Sequence, residues 1–244
     1  KMNMSNNLNY CDKHKCNKEL ILNCRWECKK CISESLKNGS NQYKEDLRKK
    51  FLSMKIKNAQ IPPDLKNKDL NNFIINDEED EKIVDRAKRY MEQILEKKTH
   101  SNLMITGPTG VGKSHIAVGI LKYCYELKYF MNSICYSTSY GLASKVIATW
   151  KSPDLNEEDV LKEYTEIDLL VIDDLGYDDM GKKAEIINKI IYRRHENQKS
   201  TIITSNLKAD QVLEYMDHRT RSRFLSYLYS YIQIDTEDFR LKRI

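Results

Sequence analysis

The chain has 244 residues, with 41 Lys and Arg against 36 Asp and Glu for a formal net charge of +5. That length allows one sizeable core plus a small accessory unit, and so mild a basic excess permits a polyanionic partner without requiring one. No apolar run approaches the roughly 18 residues of a membrane-spanning helix, and the opening KMNMSNNLNY lacks the apolar stretch of a signal peptide; the expectation is a cytoplasmic protein with no membrane partner.

Residues 10–31 read YCDKHKCNKELILNCRWECKKC and hold Cys11, Cys16, Cys24, Cys28 and Cys31, five of the seven cysteines in the chain. Thiols persist in a reducing compartment, where such clustering points to metal rather than disulfides. Cys11-x-x-His14 and Cys28-x-x-Cys31 form two ligand pairs that would close a tetrahedral N/S site around Zn²⁺, the metal standing in for a core that thirty residues cannot build. Cys16 or Cys24 could replace a member of that set. Cys124 and Cys135 lie in apolar surroundings and read as core residues. Residues 33–58 are polar and Lys-rich, with a modest helical pattern through Leu47, Phe51, Leu52 and Ile56. Ile61-Pro62-Pro63 ends any helix, and the segment through Asn76 reads as extended linker. The expected organisation is a zinc-binding domain over 1–40, a helical and extended linker over 41–76 and an α/β nucleotide-binding domain over 77–244.

From Asp77 the acids lead, the lysines trail, and Ile83, Val84, Ala87, Tyr90, Met91, Ile94 and Leu95 share one helical face. Next, LMITGPTGVGKS over 103–114 reads as strand, glycine-rich loop and the start of a helix. Gly107, Pro108, Thr109, Gly110, Val111, Gly112, Lys113 and Ser114 have the spacing of a phosphate-binding P-loop: glycines let several N–H groups point at one oxyanion at the positive end of the helix continuing through His115. Lys113 would reach the β- and γ-phosphates and the Ser114 hydroxyl would ligate Mg²⁺. A helix over 114–128, a strand at 134–137 and helices over 142–150 and 157–164 follow.

The run Asp168 to Asp174 is apolar until its end, as expected of a central parallel strand, and delivers two carboxylates to the sheet edge where the P-loop opens. Asp173 would hold Mg²⁺ through water, and Asp174 would orient or deprotonate the water attacking the γ-phosphate. A helix over 182–197 precedes the strand Thr201 to Asn206. Asn206 is placed to hydrogen-bond the attacking water or the γ-phosphate, or alternatively to cap the helix Ala209 to Met216. His218 to Phe224 concentrates arginine before a strand at 231–234, with Arg240 beyond; guanidinium groups there would stabilise developing phosphate charge, in the same or a neighbouring subunit, or form a solvated or nucleic-acid-facing surface.

GPTGVGKSH, LLVIDDLG, TIITSN, RTRSRF and the DFR ending at Arg240 together resemble the DnaC/DnaI/IstB group of AAA+ ATPases over about residues 59–241. The resemblance implies a parallel αβα sheet with a small lid, Walker A at Gly107 to Ser114, Walker B at Asp173 and Asp174, sensor I at Asn206, an arginine finger at Arg223 with Arg219 and Arg221 close by, and sensor II at Arg240. It implies ATP, Mg²⁺ and Zn²⁺ as cofactors, with adenine near Phe73. For activity it implies ATP-dependent loading of a DnaB-type replicative helicase onto single-stranded DNA, with self-assembly on ATP binding and the zinc domain gripping the helicase. An IstB-like transposition helper and an ATP-sensing zinc adaptor with negligible turnover are the alternatives.

Overall fold

The structure, a computed structural model, describes residues 10–11, 13–17, 19–21, 25–31, 59–97, 100–126, 133–176 and 181–235. The helix expected within 33–58, Cys24 and Arg240 lie outside these residues. The chain divides into two compact units, residues 1–54 and 55–244.

In the first unit, β1 (Tyr10–Cys11) and β2 (Cys16–Asn17) form an antiparallel hairpin that pairs Cys11 with Cys16, and β3 (Glu19–Ile21) and β4 (Arg25–Glu27) form a second. Strands this short bury almost nothing, so secondary structure alone cannot hold such a unit together.

The second unit is built on a five-stranded, wholly parallel sheet in the order β6-β7-β8-β5-β9. Its strands are β5 (Asn102–Thr106), β6 (Ile134–Thr138), β7 (Leu169–Asp173), β8 (Ser200–Ser205) and β9 (Leu228–Gln233). The helices between them are α2 (Lys113–Glu126), α3 (Ser139–Thr149), α4 (Glu157–Thr165), α5 (Lys182–Glu196), α6 (Ala209–Tyr215) and α7 (His218–Ser226), with α1 (Glu78–Lys97) preceding the sheet. A parallel sheet needs crossovers that cover both faces, which is why β7 and β8 are buried along their whole length.

Alternation along the strands separates two apolar layers. Met104, Leu170, Ile172 and Ile203 join Leu142, Val146, Leu161, Ile187 and Ile190 on one face. On the other face α2 packs against β6, β7 and β8 and is covered in turn by α1. Buried between them, α2 is apolar nearly all round, from Ile116 and Ala117 to Cys124 and Tyr125. Cys124 and Cys135 are both buried, and burial pushes their thiols up to about 12.

α1 begins at Asp77, whose carboxylate accepts from the Glu79 and Asp80 amides at 3.0 Å. Ile83, Val84, Ala87, Tyr90, Met91 and Ile94 are buried, each of the larger ones contributing about 1.5–3 kcal/mol of apolar transfer before entropy is subtracted. The Tyr90 hydroxyl reaches the Ser101 carbonyl at 2.8 Å.

Two features differ from the sequence reading. Residues 59–76 are not a free extended linker: Ala59, Ile61 and Phe73 are buried, the Tyr136 amide donates to the Ala59 carbonyl, and 3₁₀ turns form at Pro63–Leu65 and Leu70–Asn72. Lys122 of α2 fixes this segment by donating to the Lys66 and Lys68 carbonyls. The arginine run is a helix, α7, capped by Asp217, which accepts from the Arg219 and Thr220 amides at 2.8 and 2.9 Å. Three arginines in one short turn masked its periodicity. Among the described residues no helix is long and apolar enough to cross a membrane.

Candidate functional site

β5 runs straight into the glycine-rich loop. Gly107 has φ +149° with the Ile234 carbonyl oxygen 2.2 Å from where a Cβ would stand, and Gly112 has φ +92° with Phe73 Cε2 at 2.8 Å. Both positions therefore require glycine for backbone freedom and for close approach. The loop opens beside the ends of β7 and β8, at the carboxyl edge of the sheet where ligands of open α/β folds bind.

A cleft of about 800 Å³ lies there, a nucleotide-sized volume. Thr109, Gly110, Gly112, Lys113, Ser114, His115, Asp174 and Asn206 line it, with Phe73 and Ile74 forming an apolar end. Lys113 is buried, and its ammonium donates to the Gly107 carbonyl at 2.9 Å, the Pro108 carbonyl at 2.6 Å and Asn206 Oδ1 at 2.6 Å. Asn206 does not cap α6, whose N-cap position is Lys208. Val111 is fully buried, so it anchors the loop rather than facing the cleft.

His115 Nε2 lies 2.8 Å from both the Asp69 carbonyl and Asn72 Oδ1. Both are acceptors, so that nitrogen carries the hydrogen. Burial lowers the His115 pKa, keeping the ring a neutral donor that ties α2 to the segment forming the apolar end of the cleft. Phe73 meets the same ring edge-on at 5.3 Å between centroids.

Behind the loop, Asp173 is 3% exposed and held from three elements. Ser114 Oγ of α2 lies 2.9 and 3.0 Å from its two oxygens, Thr204 of β8 donates to Oδ1, and the Tyr136 hydroxyl of β6 donates to Oδ2. The Ser114 hydroxyl and the Asp173 carboxylate thus lie side by side, oxygen donors of the kind magnesium takes, with Ser114 placed to ligate the ion and Asp173 to hold it through water. Asp174, next along, sits in the left-handed region at φ +55°. Its amide donates to Thr204 Oγ1 at 3.1 Å and its carbonyl accepts from Ser139 Oγ at 2.9 Å. The surroundings thus hold a strained backbone that turns the second carboxylate into the cleft.

Tyr136 and Thr204 were not singled out by the sequence reading. Thr204 sits in the apolar run TIITSN two residues before Asn206, a hint of sorts; nothing local distinguishes Tyr136. Arg223 is not part of the cleft wall: its guanidinium lies over the Tyr192 ring, 4.3 Å from the centroid.

In the small unit, Cys11, His14, Cys28 and Cys31 bring their ligand atoms within 4.8 Å of one another. His14 Nδ1 is 3.1 Å from Cys31 Sγ, 3.4 Å from Cys28 Sγ and 3.7 Å from Cys11 Sγ, and Cys11 Sγ is 3.7 Å from Cys31 Sγ. A tetrahedron with Zn–S bonds of about 2.3 Å has S···S edges of about 3.7 Å, so these four residues fit Zn²⁺. Cys16 Sγ approaches Cys28 Sγ at 3.3 Å and borders the cluster as a fifth thiol. Protein purified without chelator is expected to carry about one zinc per chain, and stripping it to unfold residues 1–54; less than half an equivalent by elemental analysis would refute the cluster.

A parallel sheet in this order, with a P-loop after β5 opening toward an aspartate at the end of β7 and β8 inserted between those two strands, defines the αβα core of a AAA+ P-loop ATPase. A family model described as IstB-like ATP binding protein matches residues 33–243, and the chain belongs to that family. It is 26% identical over 164 residues to the replicative helicase loader DnaC of Escherichia coli (strain K12), a match covering 67% of this chain and 65% of that protein's length. Among solved structures it resembles the DnaC helicase loader, with a TM-score of 0.62 at 22% identity over 71% of this chain and all of that one. It also resembles AMPPCP-bound DnaA from Aquifex aeolicus, with a TM-score of 0.55 at 22% identity over 73% and 53% of the two chains. At those identities the structural likeness is one of fold.

Proposed function

We propose that the protein is an ATP-dependent loader of a DnaB-type replicative helicase onto single-stranded DNA. The observation that carries this reading is the convergence of Lys113, Ser114, Asp174 and Asn206 on one nucleotide-sized cleft with Asp173 directly behind it, in a chain whose small unit gathers a Cys/His cluster. The similarity to a protein named as a replicative helicase loader supports the choice of partner.

In this reading residues 1–40 bind zinc and grip the helicase, and the ATPase takes in the packed 59–76 segment together with 77–244. P-loop amides and Lys113 hold the phosphates, while Phe73 and Ile74 flank the base. Ser114 directly, and Asp173 through water, would hold magnesium, which would supply positive charge against the β- and γ-phosphates. Asp174 orients the attacking water and accepts its proton, and Asn206, released from Lys113 when phosphate takes its place, hydrogen-bonds the γ-phosphate or that water. Arg223 acts on the site of a neighbouring subunit, which explains its distance from its own cleft, and Arg240 acts as sensor II. ATP binding assembles the subunits around the strand and hydrolysis releases them.

The test is co-elution with the DnaB-type helicase of the same organism, with and without ATP, for the wild type and a Cys28→Ser/Cys31→Ser variant. The expected result is a complex that the variant loses. No complex under any nucleotide condition overturns the loader reading in favour of a transposition helper, which the IstB-like family match supports; a transposase is then the partner.

A further inference from the structure

Tyr136 is buried at the centre of β6. In the parallel pairing of β6 with β7, Tyr136 lies opposite Val171 and Thr138 opposite Asp173. Paired residues share a face, so Tyr136 projects on the side of the sheet that carries Asp173, two residues short of it, or about 6.6 Å along the strand. A phenol spans that gap, whereas a hydroxyl or amide on a shorter side chain would not reach. The Tyr136 hydroxyl closes it by donating to Asp173 Oδ2. Thr204 donates to Oδ1 from the opposite neighbouring strand, so rotation of the carboxylate is blocked at both oxygens while Ser114 Oγ stays 2.9 Å away.

From this geometry we infer that Tyr136 is a positioning residue of the nucleotide site, setting the orientation in which Asp173 meets the metal that accompanies ATP. The inference rests on the ATPase reading above and adds to it a group outside the P-loop and outside the two acidic positions. A phenol is protonated at neutral pH, so the Tyr136 hydroxyl is available as a donor to Asp173. Groups that orient a metal ligand in this way are worth about 10- to 100-fold in metal affinity or activity.

The test uses the full chain, with a fluorescent ATP analogue titrated with Mg²⁺, alongside steady-state hydrolysis. Tyr136→Phe keeps the ring and removes the donor. Affinity for the nucleotide in EDTA should stay within about twofold, while the Mg²⁺ concentration giving half-maximal binding and turnover rises about tenfold. 4-Aminophenylalanine at position 136 restores a weaker donor at the same place and should fall between the two, at about two- to fivefold.

A Tyr136→Phe midpoint equal to wild type overturns the inference, as does a 4-aminophenylalanine variant as impaired as Tyr136→Phe, which would reduce Tyr136 to packing. Should Tyr136→Phe fail to fold by circular dichroism, the 4-aminophenylalanine protein carries the test, and an unmoved midpoint overturns the inference. Wild-type hydrolysis no greater than that of Lys113→Ala would instead remove the ATPase reading itself, and this inference with it.

Discussion

Lys113→Ala is expected to weaken ATP binding about 10- to 100-fold, the worth of one charge-assisted hydrogen bond of about 1.5–3 kcal/mol, and to reduce hydrolysis to background. The reason lies in the partners of the side chain. Its buried ammonium is held by two backbone carbonyls and the Asn206 amide oxygen, neutral acceptors that an anionic phosphate outcompetes. The alanine chain loses a cation at the one place where the loop points it into the cleft. It should still fold, because alanine is the stronger helix former at the start of α2 and Val111 and Ile116 keep the loop anchored in the core. Equilibrium titration with a fluorescent nucleotide, with far-UV circular dichroism as the folding control, reads both quantities. Unchanged affinity would remove the P-loop assignment.

Arg194→Met is expected to destabilise the 55–244 unit by about 3–5 kcal/mol, in the range seen when a buried charged network is broken. Arg194 is completely buried. Its guanidinium donates to the Tyr164 and Ile167 carbonyls at 2.6 and 2.8 Å, to Thr201 Oγ1 at 3.0 Å and to the Ser200 carbonyl. One side chain on α5 thus ties the end of α4 to the first two residues of β8. Methionine fills much of the volume but leaves the carbonyls without these donors, at about 1–3 kcal/mol for each that water cannot reach. A thermal melt should show a midpoint about 10 °C lower, at 2–4 °C per kcal/mol for a unit of this size. A shift under 3 °C would mean that water replaces the guanidinium and that the network is not buried in solution.

The two predictions differ in how far the sequence anticipates them. Lys113 belongs to a motif whose members lie within eight residues, and there local spacing dictates geometry: a strand, a loop needing glycine at 107 and 112, and a helix. The same holds for Asp173 and Asp174, because an apolar run of that length has to be a central strand and its end has to reach the sheet edge. The four residues of the Cys/His cluster also announce themselves by ligand-pair spacing. α7 was obscured because its arginines hide its two buried positions, Thr220 and Phe224, in a helix that packs on α5. The 59–76 segment looked like linker because its two prolines and scattered polar residues carry no period, while its structure comes from partners about fifty residues away, Lys122 and His115.

Within the sequence alone lay the fold class, the phosphate loop, the two acids, Asn206 and the four metal-ligand candidates, because each is a short-range pattern in which chain connectivity does most of the positioning. The order β6-β7-β8-β5-β9 then brings together what connectivity leaves apart. It sets Tyr136 and Thr204 on either side of Asp173, lays Phe73 against Gly112, and leaves Arg223 stacked on Tyr192 away from its own cleft. Those placements depend on strand register and helix packing, which arise from burial summed over the whole sheet and are carried by no single stretch of residues.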